Sequence, residues 1–477
     1  MIAVERVCLV ILLAWLAWLP LPFGSIVPRA RIPLIVVPLA VCAIAASLRW
    51  MMLRRTSNAH PTRAWIVFAS GGMLLLALAA LQLVPLPPPL LRALSPESEA
   101  IWRTATQIAR LAGVATQSAH PISVDPHATA FELFRIGALL ATFTAVALLV
   151  RTHARRVALA SVLCATATFE ALYGLREAAM QRYEIWGWVN RLIFNRVTGT
   201  FVNPNHFGHY LAVVLPMALF LAAFAWHVSG HDDVPLSRRL ARLLESRILS
   251  IGFALIAAIA CVAGVLLAQS RGALLALGAG LLFVAALLPG RRIARIALAA
   301  TAGLVLVGTL IVYLGPERTV GRFMPSELER QTFVGRRIGI SAAFALWRRF
   351  PLFGSGLGTF ERVVSMEQTQ DLGKIYHHAH NDYAELAATG GTAGFMIGMV
   401  ALMGGYVVLL RMTFGEPGAA LSWRRRTFQT AALASLTIAM VHALIDFNFY
   451  IPSNPATLAA ILGAAVASVD HDKRTRR

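Results

Sequence analysis

The sequence predicts an all-α, polytopic membrane protein, and its hydropathy pattern is the main evidence. Hydrophobic residues make up 57% of the 477 residues and charged residues only 14%, and the mean hydropathy is +0.66. Apolar runs of about 20 residues recur along the chain, which is the length that a helix needs to cross a bilayer. The short alternating segments typical of membrane β-strands are absent from the sequence, so helices remain as the way to satisfy backbone polar groups in lipid.

About twelve transmembrane helices are predicted from these runs. They cover approximately residues 7–25, 32–49, 65–84, 132–150, 157–175, 207–228, 248–268, 272–289, 296–314, 391–410, 428–446 and 453–469. The first run lacks a clean small-residue cleavage site, so we expect it to be retained as a helix. All four cysteines fall within the runs and are expected as small buried residues rather than as a disulfide framework.

The net charge of +20 is distributed as in a membrane protein, and no nucleic-acid partner is expected. Of the 43 Lys and Arg residues, 23 lie in the N-terminus, the C-terminal tail and five connections, namely 49–63, 151–156, 229–247, 290–295 and 411–426. Short cytoplasmic loops carry an excess of Lys and Arg, so these segments are predicted to face the cytoplasm. An even number of spans then places both termini on that side.

The chain is predicted as a single membrane domain, residues 1–477, with three long segments on the outer side. Residues 315–390 form the longest of them, and 85–131 and 176–206 form two smaller ones. Long loops are exempt from the positive-inside rule. The arginines in these segments therefore need another explanation.

A short helix is predicted to begin at Ser95-Pro96-Glu97 in the first outer segment. A capping residue, a proline at the first helical position and an acid in the first turn favour this start. Trp102, Ile108 and Leu111 predict that the helix lies on the membrane interface.

Arg336 and Arg337 begin a predicted helix at about residues 335–350. Two guanidinium groups beside the free N–H groups and positive dipole of a helix N-terminus form an arrangement that binds phosphate. The alternative is a pair of interfacial arginines that contact lipid headgroups.

Arg271 lies in Ser270-Arg271-Gly272, which separates two apolar runs with almost no loop. A charge at such a boundary typically faces the protein interior or a water-filled cavity, and it indicates a functional site. The alternative is an arginine that extends to the headgroups.

The most informative polar stretch is His377-His378-Ala379-His380-Asn381-Asp382-Tyr383, at the end of the longest outer segment. A neutral histidine can accept a proton from a hydroxyl near pH 7, so general-base chemistry is favoured. Zinc is the alternative, but no cysteine is near and Asp382 and Glu385 are the only adjacent acids. A structural role in the loop is expected for two of the three histidines.

Two further patterns are less specific. Gly354-Ser355-Gly356-Leu357-Gly358 looks like a nucleotide-binding loop, but no Gly-Lys-Ser/Thr follows it, so a flexible turn is predicted. Glu170, His442 and Asp446 lie in or at the ends of spans, where polar residues can form the proton relay of a transporter. They occur singly near the outer ends, which favours hydrogen bonds that support the outer site.

Together, these motifs resemble the O-antigen ligase and polymerase superfamily of bacterial inner-membrane proteins. The matching residues are Arg196 through Asn205, Ser270-Arg271-Gly272, Arg336-Arg337, Trp347, Pro351, Gly354 through Phe360, His380-Asn381, Gly391 and Gly394. Each motif alone has low specificity. Their order and outward placement over about residues 196–394 carry the resemblance.

The resemblance implies a GT-C-like membrane fold and en bloc glycosyl transfer at the periplasmic face of the inner membrane. The implied donor is a glycan on undecaprenyl diphosphate, and the acceptor is a hydroxyl of lipid A-core, of another glycan or of a protein. Membrane lipid is the remaining partner, and neither a metal nor any other cofactor is implied.

The resemblance also implies roles for individual residues. His380 corresponds to the base that activates the acceptor, with His378 as the alternative, and Arg271 with Arg336 or Arg337 corresponds to the diphosphate binders. The supporting residues are Arg196, Asn205, Asn381 and Tyr383. Preorganised arginines would stabilise the charge that develops on a departing diphosphate.

A ligase is favoured over three rivals. An O-antigen or exopolysaccharide repeat-unit polymerase is the nearest alternative, followed by a protein O-oligosaccharyltransferase. A polysaccharide transporter or flippase predicts broken helices, inverted repeats and paired charges near the bilayer midplane. The sequence places its charges at the outer boundary instead, which favours an enzyme.

Overall fold

The computed structural model describes residues 2–53, 61–189, 196–228, 248–287, 303, 327–367, 376–415 and 423–467. These residues form fifteen α-helices together with one two-stranded antiparallel hairpin. The hairpin pairs β1 (Glu184–Ile185) with β2 (Trp188–Val189). The predicted all-α class is confirmed.

The helices divide into two groups along the chain. The first group is α1 (Ile2–Trp18), α2 (Arg31–Leu53), α3 (Arg63–Leu83), α4 (Pro88–Leu94), α5 (Pro96–Leu111), α6 (Pro126–Leu149), α7 (His153–Ala179) and α8 (Pro204–Val228). The second is α9 (Ile248–Leu267), α10 (Arg271–Leu287), α11 (Glu327–Arg349), α12 (Phe360–Val363), α13 (Asp382–Phe414), α14 (Trp423–His442) and α15 (Ser453–Val466).

Eleven of the twelve predicted spans coincide with helices, which are α1–α3, α6–α10 and α13–α15. The twelfth, 296–314, lies outside the described residues except for Gly303. Within the described part, seven helices are long and apolar enough to cross a membrane, namely α2, α3, α6–α9 and α13. Helices α10 and α15 are apolar but shorter. The chain is therefore a polytopic helical membrane protein.

One end of the bundle, which we call the site end, gathers the helix ends that carry the candidate residues. Gln82, near the end of α3, donates through Nε2 to Thr389 O at 3.0 Å. The backbone N–H of Asp382, at the start of α13, donates to Ala443 O just beyond α14 at 2.9 Å. These bonds cross between helices that are distant in sequence, so they fix the relative positions of the helix ends.

The opposite end, which we call the basic end, gathers several of the short basic connections. Thr62, the N-cap of α3, donates through Oγ1 to Val466 O at the end of α15 at 2.8 Å. Arg155, near the start of α7, forms an ion pair with Glu5 in α1. Arg63, next to Thr62, and Arg155 therefore lie at the end away from the candidate site.

The predicted helix in the first outer segment is present as α5. Ser95 is its N-cap and Pro96 its first residue, so the predicted start is confirmed. Trp102 packs against the buried cluster of Leu86, Leu91 and Ile122, while Ile108 and Leu111 are exposed. Trp102 thus contacts the protein, because the outer segment supplies its own small apolar core.

The position predicted for Arg336 and Arg337 within their helix is wrong. Helix α11 begins at Glu327, so both arginines lie inside the helix rather than at its N-terminus. The first turns of α11 are polar and lack the apolar spacing from which a start near residue 335 was predicted. The free N–H groups and the positive dipole end are therefore more than two turns away from the arginines.

Helix α13 is interrupted at Gly391, where φ is 65° and ψ is −168°. This backbone region is essentially restricted to glycine. A Cβ at this position would lie 2.4 Å from Leu352 O and 2.5 Å from Gly354 N. The close approach lets Gly356 N donate to Thr389 O at 3.0 Å. The glycine-rich turn is thus packed on α13, which corrects the flexible turn predicted for it.

Candidate active site

A buried aspartate at the site end joins residues that lie far apart in the sequence. Asp446 follows α14 and is 1% exposed. Its Oδ1 lies 3.2 Å from His380 Nδ1, and its Oδ2 accepts from Asn205 Nδ2 at 2.9 Å. The guanidinium of Arg336 lies 3.6 Å from Oδ2. One carboxylate therefore contacts the predicted base, a predicted diphosphate binder and a predicted supporting residue.

The charge state of Asp446 follows from these contacts. Burial alone raises the pKa of a carboxyl group, because it disfavours the charged form. The hydrogen bond from His380 and the charges of His206, His380 and Arg336 act in the opposite direction and hold the pKa of Asp446 well below its usual value of 3.8. The carboxylate is ionised at neutral pH, so it favours a proton on His380 Nδ1 and leaves Nε2 as the proton acceptor.

His380 has a left-handed backbone conformation, with φ at 55°. Such conformations are uncommon in non-glycine residues and are concentrated at functional sites. The His380 side chain is 27% exposed, and Nε2 has no hydrogen-bond partner within the described residues. The ring is thus fixed on one side and open to a substrate on the other.

Asn381 and Tyr383 attach the histidine loop to the end of α14. Asn381 caps α13, because its Oδ1 accepts from Ala384 N at 2.9 Å, and its Nδ2 donates to Leu444 O at 2.9 Å. The hydroxyl of Tyr383 donates to Met440 O at 2.9 Å. Both side chains support the loop and neither faces Asp446 directly.

The three arginines predicted to bind diphosphate have different environments. Arg336 is half-buried, and its Nε is buried without a hydrogen-bond partner in the described part of the chain. Arg337 is exposed, as is Arg271 at the first residue of α10. The neighbour of Arg271, Gly272, packs on His442, whose Nε2 would lie 2.6 Å from a Cβ at position 272. Arg336 therefore contacts Asp446 and also has a buried N–H group that could donate a hydrogen bond to a bound anion.

Arg196 and Asn205 form a bridge between α10 and Asp446. The guanidinium of Arg196 donates through Nε to Ala268 O and through NH2 to Asn205 Oδ1, both at 2.9 Å. The bond to Oδ1 orients the amide of Asn205 so that Nδ2 faces Asp446. Because Ala268 lies three residues before Arg271, the same side chain ties the start of α10 to the aspartate.

Phe447 separates His378 from His380. Its ring stacks on His378 with centroids 4.3 Å apart and meets His380 edge-on at 4.9 Å. The Nδ1 of His378 lies 2.9 Å from Glu385 Oε1. Burial lowers the pKa of His378, but the charge and hydrogen bond of Glu385 outweigh burial, so the pKa lies above its usual value of 6.5.

A cavity of about 700 Å³ lies on the His378 side of Phe447. Its lining includes Phe131, His206, His378, Phe447, Tyr450 and the Glu132–Arg135 ion pair. Arg135 also donates to Phe449 O at 2.7 Å, which fixes the aromatic segment that follows Asp446. Aromatic faces with a few oriented polar groups are typical of a ligand-binding cavity.

Part of the chain is similar to a known protein family. Residues 255–399 match the family model described as O-antigen ligase. The predicted resemblance to the O-antigen ligase superfamily is confirmed. No curated protein matches the chain. The matched segment contains Arg271, Arg336, Arg337 and His380, whereas Asp446 lies beyond it.

Asp446 is the residue whose position at the centre of the site was missed by sequence reasoning. It was grouped with Glu170 and His442 as a supporting polar residue. Glu170 accepts from Thr200 N at 2.8 Å and from its Oγ1 at 2.7 Å, and His442 Nδ1 lies 3.0 Å from His209 Nδ1. The four-residue spacing of His442 and Asp446, at the end of an apolar run, is a signal from which Asp446 could have been singled out.

Proposed function

We propose that the protein is an O-antigen ligase-type glycosyltransferase. It would move a glycan en bloc from undecaprenyl diphosphate to a hydroxyl of a lipid A-core sugar. The observation that carries the proposal is the sharing of Asp446 by His380 and Arg336. This sharing supports a reaction in which a histidine base acts next to a cation that binds the departing diphosphate. The match over residues 255–399 supports the same class of reaction.

In this reaction His380 acts as the general base. Its Nε2 takes the proton of the acceptor hydroxyl while the oxygen attacks the anomeric carbon, and Asp446 stabilises the imidazolium through Nδ1. The new glycosidic C–O bond forms as the C–O bond to the diphosphate breaks, and undecaprenyl diphosphate leaves with the electron pair. His378 is less suited to this role, because its raised pKa keeps it protonated to a higher pH.

Arg336 is the proposed principal diphosphate binder, with Arg271 and Arg337 adding charge at the entrance. The buried Nε of Arg336 lacks a hydrogen-bond partner among the described residues. An anion that accepts a hydrogen bond from it would offset the desolvation cost of this buried donor. Contacts of this kind strengthen as negative charge develops on the leaving group. Asp446 holds the guanidinium in place before the substrate arrives.

The cavity beside His378 is the proposed site for sugar rings next to the reacting bond. Phe447 and Tyr450 can stack on a sugar face, and the paired carboxylate and guanidinium of Glu132 and Arg135 can hydrogen-bond its hydroxyls. Phe447 also contacts His380. A sugar in this cavity would therefore lie one aromatic ring away from the base.

The same proposal fixes the orientation of the single membrane domain in the bacterial inner membrane. Segments 315–390, 85–131 and 176–206 would lie in the periplasm, with the active site formed at the first of them. Both termini and the basic end would face the cytoplasm, as the excess of Lys and Arg at short connections indicates.

The test is deletion of the gene in the bacterium that encodes it, followed by gel analysis of lipopolysaccharide and of lipid-linked glycan. Loss of a ligase leaves lipid A-core bare while long chains persist on the carrier, and the wild-type gene restores the ladder. Core that carries single repeat units would indicate a polymerase instead. Unchanged lipopolysaccharide together with lost protein glycosylation would indicate a protein O-oligosaccharyltransferase.

A further inference from the structure

The basic end of the bundle contains buried arginine and histidine nitrogens for which the described residues supply no hydrogen-bond partner. Arg156 in α7 is 3% exposed. Its Nε donates to Ala464 O at 3.2 Å, but one of its terminal nitrogens is buried without a partner in the described part of the chain. The Nε of Arg425 in α14 and both ring nitrogens of His153 are buried and unpartnered in the same sense.

The neighbouring charges do not compensate these groups. The charges of Arg425 and Arg156 act on each other unfavourably, and the adjacent Arg155 is already paired with Glu5. A buried cation without an anion is costly. Among the described residues, the space between α7 and α14 therefore lacks a negative charge to balance these arginines.

An apolar cavity of about 170 Å³ lies directly beside this cluster. Its lining comes from α7, α8 and α9. Val157, Leu221, Phe224, Ala225 and Phe253 supply most of it, and Ser161 and Ser250 complete it. A dry cavity of about 150 Å³ lined by apolar side chains is large enough to bind benzene. Because five of its seven lining side chains are apolar, the cavity suits a hydrocarbon group.

Phe224 connects the cavity to the cationic cluster. Its ring lines the cavity, lies 4.4 Å from the ring of His153 and has the Arg424 guanidinium 5.9 Å above it. A ligand with a negatively charged group next to a hydrocarbon chain would contact both features at once.

We propose that the basic end binds one anionic phospholipid, with its phosphate on Arg156 and Arg425 and part of an acyl chain in the cavity beside Phe224. Basic pockets between transmembrane helices are suited to anionic headgroups. The apolar cavity favours a lipid over free phosphate. This inference does not depend on the proposed transferase activity, because the cluster lies at the end opposite His380.

The test is lipid binding by the purified full-length protein in detergent, measured by native mass spectrometry as lipid is titrated. We expect one phosphatidylglycerol to be retained, whereas phosphatidylcholine with the same acyl chains and inorganic phosphate are not. Arg156→Gln and Arg425→Gln should each weaken phosphatidylglycerol binding about 10- to 100-fold, as expected for loss of a charged hydrogen bond. Arg63→Gln is the matched control, because Arg63 is an exposed arginine at the same end.

Val157→Phe tests the acyl-chain part without altering a charge, and it keeps the proposal testable if Arg156→Gln does not fold. A phenylalanine at this position fills the cavity, so retention of phosphatidylglycerol should fall while the arginines stay in place. Equal retention of phosphatidylcholine would overturn the role of the charges. Competition by inorganic phosphate at the same concentration, or equal binding by Arg425→Gln and Arg63→Gln, would overturn the lipid site.

Discussion

Asp446 accepts hydrogen bonds from His380 and Asn205 and lies next to the guanidinium of Arg336. These contacts fix the orientation of each of the three side chains. His380 gains a fixed ring orientation, and Asn205 is turned by Arg196 so that its amide N–H groups face the carboxylate. Arg336 is held near the same oxygen but keeps a buried N–H group unpaired within the described residues. At the scale of single residues, the site therefore depends on how one negative charge is shared.

His380→Ala is expected to reduce transfer about 10²–10⁴-fold, the usual cost of removing a general base, while donor binding stays nearly intact. The measurement is in vitro transfer with purified protein. His120→Ala is the control, because His120 lies in the first outer segment, where its ring stacks on Trp102 with centroids 4.8 Å apart. Near wild-type turnover for His380→Ala would make His378 the candidate base, and activity that is lost with a chelator and restored by zinc would support a metal site.

Arg336→Lys is expected to lose transfer activity although it keeps the positive charge, because an ammonium group cannot reproduce the two parallel hydrogen bonds of a guanidinium. Arg271→Lys and Arg337→Lys should lose less activity than Arg336→Lys, because both arginines are exposed whereas Arg336 is half-buried. Turnover should fall more than donor affinity, since the contacts strengthen in the transition state. Full activity of all three lysine variants in one detergent preparation would contradict the diphosphate assignment.

The His378–Glu385 pair predicts a pH dependence of stability. The pKa of His378 in the folded protein lies above its unfolded value, so the pair stabilises the fold fully below about pH 6.5. This contribution is lost as the pH rises through the folded pKa. Thermal unfolding between pH 5.5 and 8.5 should therefore show a gap between wild type and His378→Gln that shrinks toward high pH. A gap that stays constant or widens would show that the pair is not charged.

At the scale of elements, the site is made where the segment after α14 meets the start of α13. Arg135 donates to Phe449 O at 2.7 Å, and Asp382 accepts from Phe449 N at 3.2 Å. The segment that carries Asp446 is thus held from α6 and α13 at once. The glycine-rich turn and Gly391 then fix how closely the preceding outer segment approaches α13.

Gly391→Ala is expected to destabilise the protein by about 1–3 kcal/mol from its backbone conformation alone, and by more because the new Cβ would meet Leu352 O. Gly404→Ala, in the same helix, is the control, because its Cβ would be 3.4 Å from Val67 Cγ1, an ordinary contact. The measurement is the thermal unfolding midpoint of both variants. Equal midpoints would mean that the interruption of α13 is not required.

The positions of the long apolar helices could be predicted from the sequence, but the contacts between them could not. Apolar length predicts a span without tertiary information, and so α2, α3 and α6–α9 were located within a few residues. Arg336 was placed at a helix start because the polar turns before it carry no hydropathy signal. The pairing of His380 with Asp446 spans 66 residues, and no local pattern encodes such a contact.

At the scale of the whole molecule, the two ends use positive charge differently. At the site end, arginines form ion pairs with buried carboxylates, as Arg336 does with Asp446 and Arg135 does with Glu132. At the basic end, Arg156 is buried and Arg425 is half-buried, and each has a buried N–H group without an acceptor among the described residues. The arrangement at the site end suits an anionic substrate that binds, reacts and is released. The arrangement at the basic end suits an anionic lipid that remains bound.

The orientation of the two ends gives the last prediction. An impermeant maleimide should label Arg362→Cys from the periplasmic side of spheroplasts, because the Arg362 side chain is 68% exposed and pairs with Asp125 at the site end. Arg63→Cys, exposed at the basic end, should be labelled only after the membrane is opened. The wild-type protein gives the baseline, since Cys8, Cys164 and Cys261 are buried and Cys42 is half-buried. The reverse pattern would place His380 on the cytoplasmic face and contradict transfer in the periplasm.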